Sequence, residues 1–471
     1  MHSVKYITRY LIWIVLLYGL IASLLNLDYN SVFIDEAYHI SMGHQLLRGE
    51  PCPGCPYATG SVTIHPVIAA LGDSIGGLYG ARAVNIVLGL MLITVIYTAS
   101  WLLFGDRRLG LIAAVLLLFS GQTMYLMKLA TYDMTAAFFL ATAFLMVVVS
   151  GRLCFTTYGN IALLLATVAV FFASITKYLL PVFIPPLLLY ALLRHGYART
   201  LIYSILPLTA LLLYFLFYVP YPPLTRVFGQ IESVRATSNV PLLTLTDWTF
   251  RWVAMAYLLA IFGIFHEERG KTALLLILCS TPIIIVHLAT RAEQSVNKNM
   301  IFSLVFLAPA AALGVDHIGH LFSMRSYSKS VKAFFTAAVL VVFWVYGVYN
   351  LRWLERQYPD VSPVIEFFDE NGFDGMTVAM NGWDGVIYSY SLGSKYPNAR
   401  FMHITETADP RAPGRPLPDD VDFIVCEDLY YGKLFPCRDY TDFIGDYYTL
   451  LEDFTIKHSW GLTDAKIYGR K

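Results

Sequence analysis

The side chains of this sequence that could do chemistry are carboxylates and cations set at the ends of long apolar stretches. Asp35 and Glu36 are adjacent, Lys128 and Asp133 lie close together, and Lys177 separates two apolar runs, while Arg82, Arg291, Glu293 and Lys298 flank others. Ionisable groups at membrane depth are costly and mark a functional site by default, yet the apolar interiors here are nearly free of charge. A channel or carrier would string such groups along a path through the bilayer. A set confined to one side describes a cavity at one interface. There a carboxylate can accept a proton and fixed ammonium or guanidinium groups can stabilise an anion. Each residue also has a structural reading: Asp35 and Asp133 as helix N-caps, Lys177, Lys298 and Arg291 as interfacial anchors with snorkelling stems, and His65, which precedes Pro66, as a packing or capping group.

The elements that must position these groups are membrane helices. The 471 residues are 57% apolar and 14% charged, with a mean hydropathy of +0.58, whereas a soluble domain carries roughly a quarter charged residues. Length alone suggests about three soluble domains; the composition argues against that reading and against disorder. A spanning helix needs about 20 mainly apolar residues. Stretches of that kind number about eleven and lie near 10–27, 83–104, 109–127, 134–150, 159–176, 178–193, 200–219, 250–265, 272–289, 299–315 and 333–350. With the N-terminus cytoplasmic, the inner segments hold about a dozen Lys and Arg in roughly 55 residues, against roughly seven in outer loops about twice as long. Eleven crossings then predict a multi-pass plasma-membrane protein whose C-terminal domain is extracytoplasmic and whose outer side carries Asp35, Asp133, Lys177 and Lys298. The 33 basic residues balance 33 acidic ones, so no net field recruits nucleic acid. The absence of an internal repeat weakens a transporter built from inverted halves.

The predicted architecture is mainly α, with a membrane domain over 1–350 and a small α/β domain over 351–471. In the first outer loop, two amphipathic juxtamembrane helices are expected: one through Asp35-Glu36-Ala37-Tyr38 to about Arg48, the other from Thr63-Ile64-His65-Pro66 to about Tyr79. Between them, Cys52-Pro53-Gly54-Cys55 reads as a small-loop disulfide; a zinc half-site completed by His39, His44 or His65 is the open alternative. In the tail, Met376–Met380, Arg400–Ile404 and Asp422–Cys426 read as buried strands, and Pro363–Glu370 and Trp383–Leu392 as helices between them. No Gly-rich phosphate loop, nucleophile elbow or metal spacing occurs there. Cys426 and Cys437 are expected to be bridged, the outer side being oxidising.

Several of these pieces, in this order, resemble the GT-C superfamily of glycosyltransferases, in particular the group of protein O-mannosyltransferases and lipid A aminoarabinose transferases. The matching pieces extend over most of the membrane region: Asp35-Glu36-Ala37-Tyr38 opening the first outer loop, His65-Pro66, Ala81-Arg82, Phe104-Gly105-Asp106-Arg107-Arg108, Thr131-Tyr132-Asp133, Thr176-Lys177-Tyr178 and Asn297-Lys298-Asn299. Val67 departs from the pattern, standing where the family motif has a second proline, and the Cys-Pro-Gly-Cys insertion is no hallmark of it.

The resemblance implies a sugar donor linked to a polyprenyl phosphate and an acceptor that is a glycolipid, a glycan or a protein, with membrane lipids as surroundings. An acceptor hydroxyl is a poor nucleophile at neutral pH, so a carboxylate must take its proton, and Asp35 is assigned as that base. The leaving phosphate needs positive charge, for which Lys177, Lys298, Arg82 and Arg291 are the candidates. Asp133 and Glu36 suit a transition state of oxocarbenium character, and His65, Tyr38 and Tyr178 are candidate substrate contacts. No cofactor is required by the sequence; a divalent cation on Asp35, Glu36 and Asp133 is compatible with the set. Two rival classes are a carrier or flippase for polyprenyl-linked sugars and an assembly subunit whose tail recruits partners.

Overall fold

The computed structural model describes residues 2–50, 64–153, 156–218, 240–292, 295–324, 329–358, 360–380, 385–403, 420–427, 444–445, 447–458 and 461–471. The chain divides into two compact units: Met1–Leu27 with Met42–Arg352, and Asp28–Ser41 with Trp353–Lys471. Cys52, Cys55, Glu293 and Cys437 lie outside the described residues.

The first unit is helical. Its elements are α1 (His2–Leu24), the later turns of α2 (Ile34–Arg48), α3 (Ile64–Phe104), α4 (Arg107–Leu118), α5 (Gly121–Met127), α6 (Tyr132–Arg152) and α7 (Thr157–Thr176). They are followed by α8 (Ile184–His195), α9 (Tyr197–Thr200), α10 (Leu206–Tyr218), α11 (Leu242–Ile264), α12 (Gly270–Ser280), α13 (Pro282–Thr290), α14 (Val296–Met324) and α15 (Lys329–Glu355). Each apolar stretch read from the sequence falls on helical segments. Among the described residues, seven helices or joined helix pairs are long and apolar enough to cross a membrane, or eight if the bent pair α4–α5 is one span. The chain is a multi-pass membrane protein.

Helix α14 is the axis of this unit. Met300–Val315 is buried almost throughout, and α4, α6, α11 and α12 pack against it. Three breaks shape the bundle. The 109–127 stretch, expected as one straight span, bends by 69° between α4 and α5. There Ser120 caps α5, its hydroxyl accepting from the Thr123 amide at 3.3 Å and donating to the Leu117 carbonyl at 2.8 Å. α3 contains the expected juxtamembrane helix and the following span, and the two part at Gly76-Gly77, where Gly77 takes φ +59, a conformation that Cβ-bearing residues avoid. After α7 the backbone of Lys177 is extended (φ −145, ψ 114), which ends the helix and frees that side chain from the helical face.

The second unit contains Asp28–Ser41, a segment that lies far upstream of the tail in sequence. Asn30 Nδ2 donates to the Tyr358 carbonyl at 3.0 Å, Ser31 N to Asp360 Oδ1 at 3.1 Å, and the Phe33 and Tyr358 rings meet at 4.1 Å. The tail carries α16 (Ser362–Asn371), β1 (Thr377–Met380), α17 (Gly385–Gly393), β2 (Arg400–His403), β3 (Phe423–Glu427), β4 (Tyr448–His458) and β5 (Gly461–Arg470). One sheet runs β2-β1-β3-β5-β4, parallel across β2, β1 and β3 and antiparallel across β3, β5 and β4. β1 is buried at every position, as parallel strands covered on both faces are. Ala379, Val421, Ile424, Cys426, Ile444 and Tyr448 form its core, and Cys426 is disulfide-bonded.

Candidate active site

Asp133 and Lys177 form an ion pair inside the membrane unit, the two residues being 1% and 4% exposed. Their positions follow from the ends of two helices. α6 begins at Tyr132 behind an extended Thr131, which puts Asp133 in the first turn, where the helix dipole favours a negative charge. The Thr131 hydroxyl donates to the second carboxylate oxygen at 3.0 Å. The extended Lys177 closes α7, and its ammonium lies 4.8 Å from the Tyr132 ring centroid and 5.4 Å from that of Phe302, favourable cation–π distances. Lys298, on the first turns of α14, is 3% exposed and within electrostatic reach of Asp133. The cluster therefore sets one ammonium group on the carboxylate and a second within electrostatic reach of it, in a place that water barely reaches.

The segment leading into α6 is clamped from α3. Asn85 Nδ2 donates to the carbonyls of Leu129 and Thr131, the latter at 2.8 Å. His65, fully buried, meets the Ala130 carbonyl with Nε2 at 3.1 Å and the Thr135 hydroxyl with Nδ1 at 3.0 Å. A carbonyl only accepts, so the Nε2 proton is fixed and Nδ1 accepts from Thr135. His65 thus holds the chain on both sides of Asp133.

A second neutral relay links α13 and α14. His287 Nδ1–H donates to the Ala292 carbonyl at 2.7 Å, which leaves Nε2 to accept from the Asn299 amide at 2.9 Å. Among the described residues Asn299 Oδ1 then has no hydrogen-bond partner although it is buried, an arrangement that normally calls for an explanation such as a bound molecule. In the sequence Asn299 is marked only as a motif neighbour, and His287, Asn85 and Thr135 carry no motif. Their signal was available: strongly polar residues interrupt otherwise apolar helices.

The remaining candidates separate. Arg82 is fully buried and donates to the Leu27 carbonyl at 2.6 Å. Arg291 is exposed and ends α13 in the left-handed conformation at φ 54, Tyr178 is half-buried beside Lys177, and Lys128, 2% exposed, closes α5. Asp35, Glu36 and Tyr38 fall in the second unit. There Glu36, rather than Asp35, holds the Phe33 amide at 2.9 Å, the back-bond of a capping box, and Asp35 is half-buried in the first turn of α2.

These helices and this small sheet define a GT-C-type fold. By sequence alone the chain matches no family model and no curated protein. Among solved structures it is similar to ArnT, the lipid A aminoarabinose transferase, from Cupriavidus metallidurans bound to undecaprenyl phosphate, with a TM-score of 0.60 at 13% identity over 96% of this chain and 97% of that one. The oligosaccharyltransferase AglB from Archaeoglobus fulgidus, in complex with an inhibitory peptide and a dolichol-phosphate, follows at 0.55 and 14% identity over 96% and 73%. The same organism's enzyme in complex with Zn and sulfate gives 0.52 at 13% identity over 88% and 67%. Among the described residues no three His, Cys, Asp or Glu side chains are grouped to hold an ion. The two oxygens of Asp133 are occupied by Lys177 and Thr131.

Proposed function

We propose that the protein is an integral membrane glycosyltransferase. It takes a sugar from a polyprenyl-phosphate-linked donor and passes it to a glycolipid, glycan or protein acceptor on the extracytoplasmic side. The observation that carries this reading is the buried Asp133–Lys177 ion pair, with the buried Lys298 within electrostatic reach, inside a GT-C-type fold. A lipid phosphate supplies an anion that such buried ammonium groups favour, and solved relatives in fold hold undecaprenyl phosphate and a dolichol-phosphate.

The reaction is a direct displacement. The acceptor hydroxyl oxygen forms a bond to the anomeric carbon, the bond from that carbon to the phosphate oxygen breaks, and the hydroxyl proton passes to Asp35. Lys177 and Lys298 stabilise the departing phosphate, a fixed-charge effect worth several kcal/mol in a water-poor site; Arg82 and Arg291 are the further cations assigned to it. Asp133 fixes the direction of the Lys177 ammonium and favours positive charge on the sugar ring. His65 and Asn85 position the Asp133 turn, Tyr38 and Tyr178 are assigned to substrate contact, and Glu36 sets the start of the helix that presents Asp35. Sidedness is part of the proposal, with the N-terminus cytoplasmic and residues 351–471 extracytoplasmic.

Asp35→Asn tests the base. Turnover of a polyprenyl-phosphate sugar should fall by at least about 10² while the purified protein still binds the donor. Near-normal turnover would remove Asp35 from that role. Donor lipid that crosses the bilayer uncleaved in the wild-type protein would favour a carrier.

A further inference from the structure

The two lysines assigned to the donor phosphate are closed off. Lys177 is 4% exposed, Lys298 3% and the adjoining Asn299 not at all, so a phosphate carried on a lipid reaches them only if an element moves. Asn299 Oδ1 and the hydroxyl of Thr176, the residues next to these lysines in sequence, are buried and have no hydrogen-bond partner among the described residues. Buried polar atoms left in that state cost free energy and favour a rearrangement that lets them bond.

The element that covers them is α13. Its His287 ring bonds Asn299 at 2.9 Å and lies within electrostatic reach of Lys177, whereas Ile285 and Ala289, on the opposite face, are exposed. Phe302, one turn beyond Asn299 on α14 and so on the same face, lies 5.4 Å from the Lys177 ammonium. α13 therefore stands between the lysines and the apolar outer surface of the bundle. Both of its ends are breaks. α12 and α13 make one membrane-length stretch, Gly270–Thr290, interrupted at Pro282, which has no N–H to continue the helical ladder. The Thr281 hydroxyl donates to the Leu278 carbonyl there, at 2.8 Å. On the α12 side of the break Ser280 is tied to two helices: its carbonyl accepts from Ser303 of α14 and its hydroxyl meets that of Tyr257 on α11, both at 2.8 Å. At the far end Arg291 turns left-handed at φ 54. The nine residues between bury only Ile283, Ile284 and His287, and the neutral bond of His287 to Asn299 that holds them to α14 is of a kind with a small net worth.

We infer that α13 is a gate over the donor-phosphate site, pivoting at Ser280–Pro282, with His287 and Asn299 as its latch. What passes the gate rests on the glycosyltransferase reading; the gate itself rests on the packing of α13. Opening uncovers Lys177 and Lys298 to a phosphate arriving from the bilayer and gives Asn299 and Thr176 access to a partner.

Two readouts test it. Thr176→Cys puts a thiol beside the closed site, and its rate of labelling by N-ethylmaleimide in the purified full-length protein, without lipid, reports opening. Adding H287L, which removes the latch and keeps both lysines, should raise that rate roughly two- to tenfold, the worth of one hydrogen bond. The native Cys279, buried on α12, should keep its slow labelling. An unchanged rate at position 176 overturns the gate, and so does an equal rise at Cys279, which would mean general loosening. In the second readout, H287C/N299C is bridged across the latch by a short reducible bis-thiosulfonate and titrated with undecaprenyl phosphate in native mass spectrometry. With its open state removed, the bridged protein should retain at least about tenfold less lipid than the same protein after reduction; equal retention overturns the gate. If the wild-type protein retains no undecaprenyl phosphate while the labelling result holds, the donor reading falls and the gate stands.

Discussion

A buried ion pair holds its two partners by mutual need. Removing Lys177 leaves the Asp133 carboxylate in a place water barely reaches, a loss that typically costs about 3–5 kcal/mol. Lys298 stays within reach of the same carboxylate, so K177M should fall toward the lower end of that range. D133N/K177M removes both charges and should recover most of the stability, as buried pairs replaced together often do. Under the proposed reaction it should not recover transfer, because the phosphate would have lost the Lys177 ammonium. Thermal unfolding in detergent and turnover of the same three proteins check this. A double variant as unstable as K177M would mean that the pair matters through packing, and an active double variant would remove Lys177 from phosphate binding. Much of this cluster was legible in the sequence: Asp133, Lys177 and Lys298 were singled out because each interrupts an apolar run. The snorkelling alternative for Lys177 does not describe it, since its ammonium ends on Asp133. The supporting side chains His287 and Asn85 were not legible as a set, because what joins them is hydrogen bonding between helices distant in sequence.

At the scale of elements, the bend between α4 and α5 depends on a close helix crossing. A Cβ on Gly121 would lie 2.7 Å from the Asn350 Cβ and 2.8 Å from the Gly347 carbonyl, and a Cβ on Gly347 would collide with the Phe119 carbonyl. These are backbone contacts that cannot swing aside. G347A should therefore destabilise the membrane unit by about 1–3 kcal/mol, the usual range for overpacking. G76A offers the contrast: a Cβ there meets nothing within 4 Å and its φ is −146, so it should change stability by less than about 1 kcal/mol. Equal unfolding temperatures for the two variants would rule the crossing out as a constraint. Apolar length and hydropathy located the helices well, because a bilayer demands long continuous runs. They did not foresee the bend, which arises where Ser120 offers an alternative partner for the backbone and two glycines let helices meet, neither of which changes hydropathy.

For the whole molecule, hydrophobic runs foretold β1, β2 and β3 and the helices α16 and α17, whereas β4 and β5 went unread. Their residues mix exposed Leu450 and Leu451 with charged Glu452, Asp453 and Lys466, so no buried run announces them; it is the pairing of β5 with β3 and of β4 with β5 that makes them strands. The inclusion of Asp28–Ser41 in the second unit was equally hidden, since hydrogen bonds such as Asn30 to the Tyr358 carbonyl join residues 328 positions apart. One bond in that unit bears on its compartment. Cys426 sits on β3 within the core and is disulfide-bonded, and such bonds persist in oxidising surroundings rather than in a reducing cytosol. Cys437 is the partner we expect. The ten residues between them, Glu427 to Pro436, make a loop of the length at which a bridge contributes about 2–3 kcal/mol, chiefly by restricting the unfolded chain. Peptide mapping of the non-reduced protein should recover Cys426 linked to Cys437, and reduction should lower the unfolding temperature of this unit while leaving the membrane helices intact. If both cysteines are alkylated without reductant in protein taken directly from cells, the bridge does not form there, and the extracytoplasmic placement of the C-terminal domain loses its chemical basis.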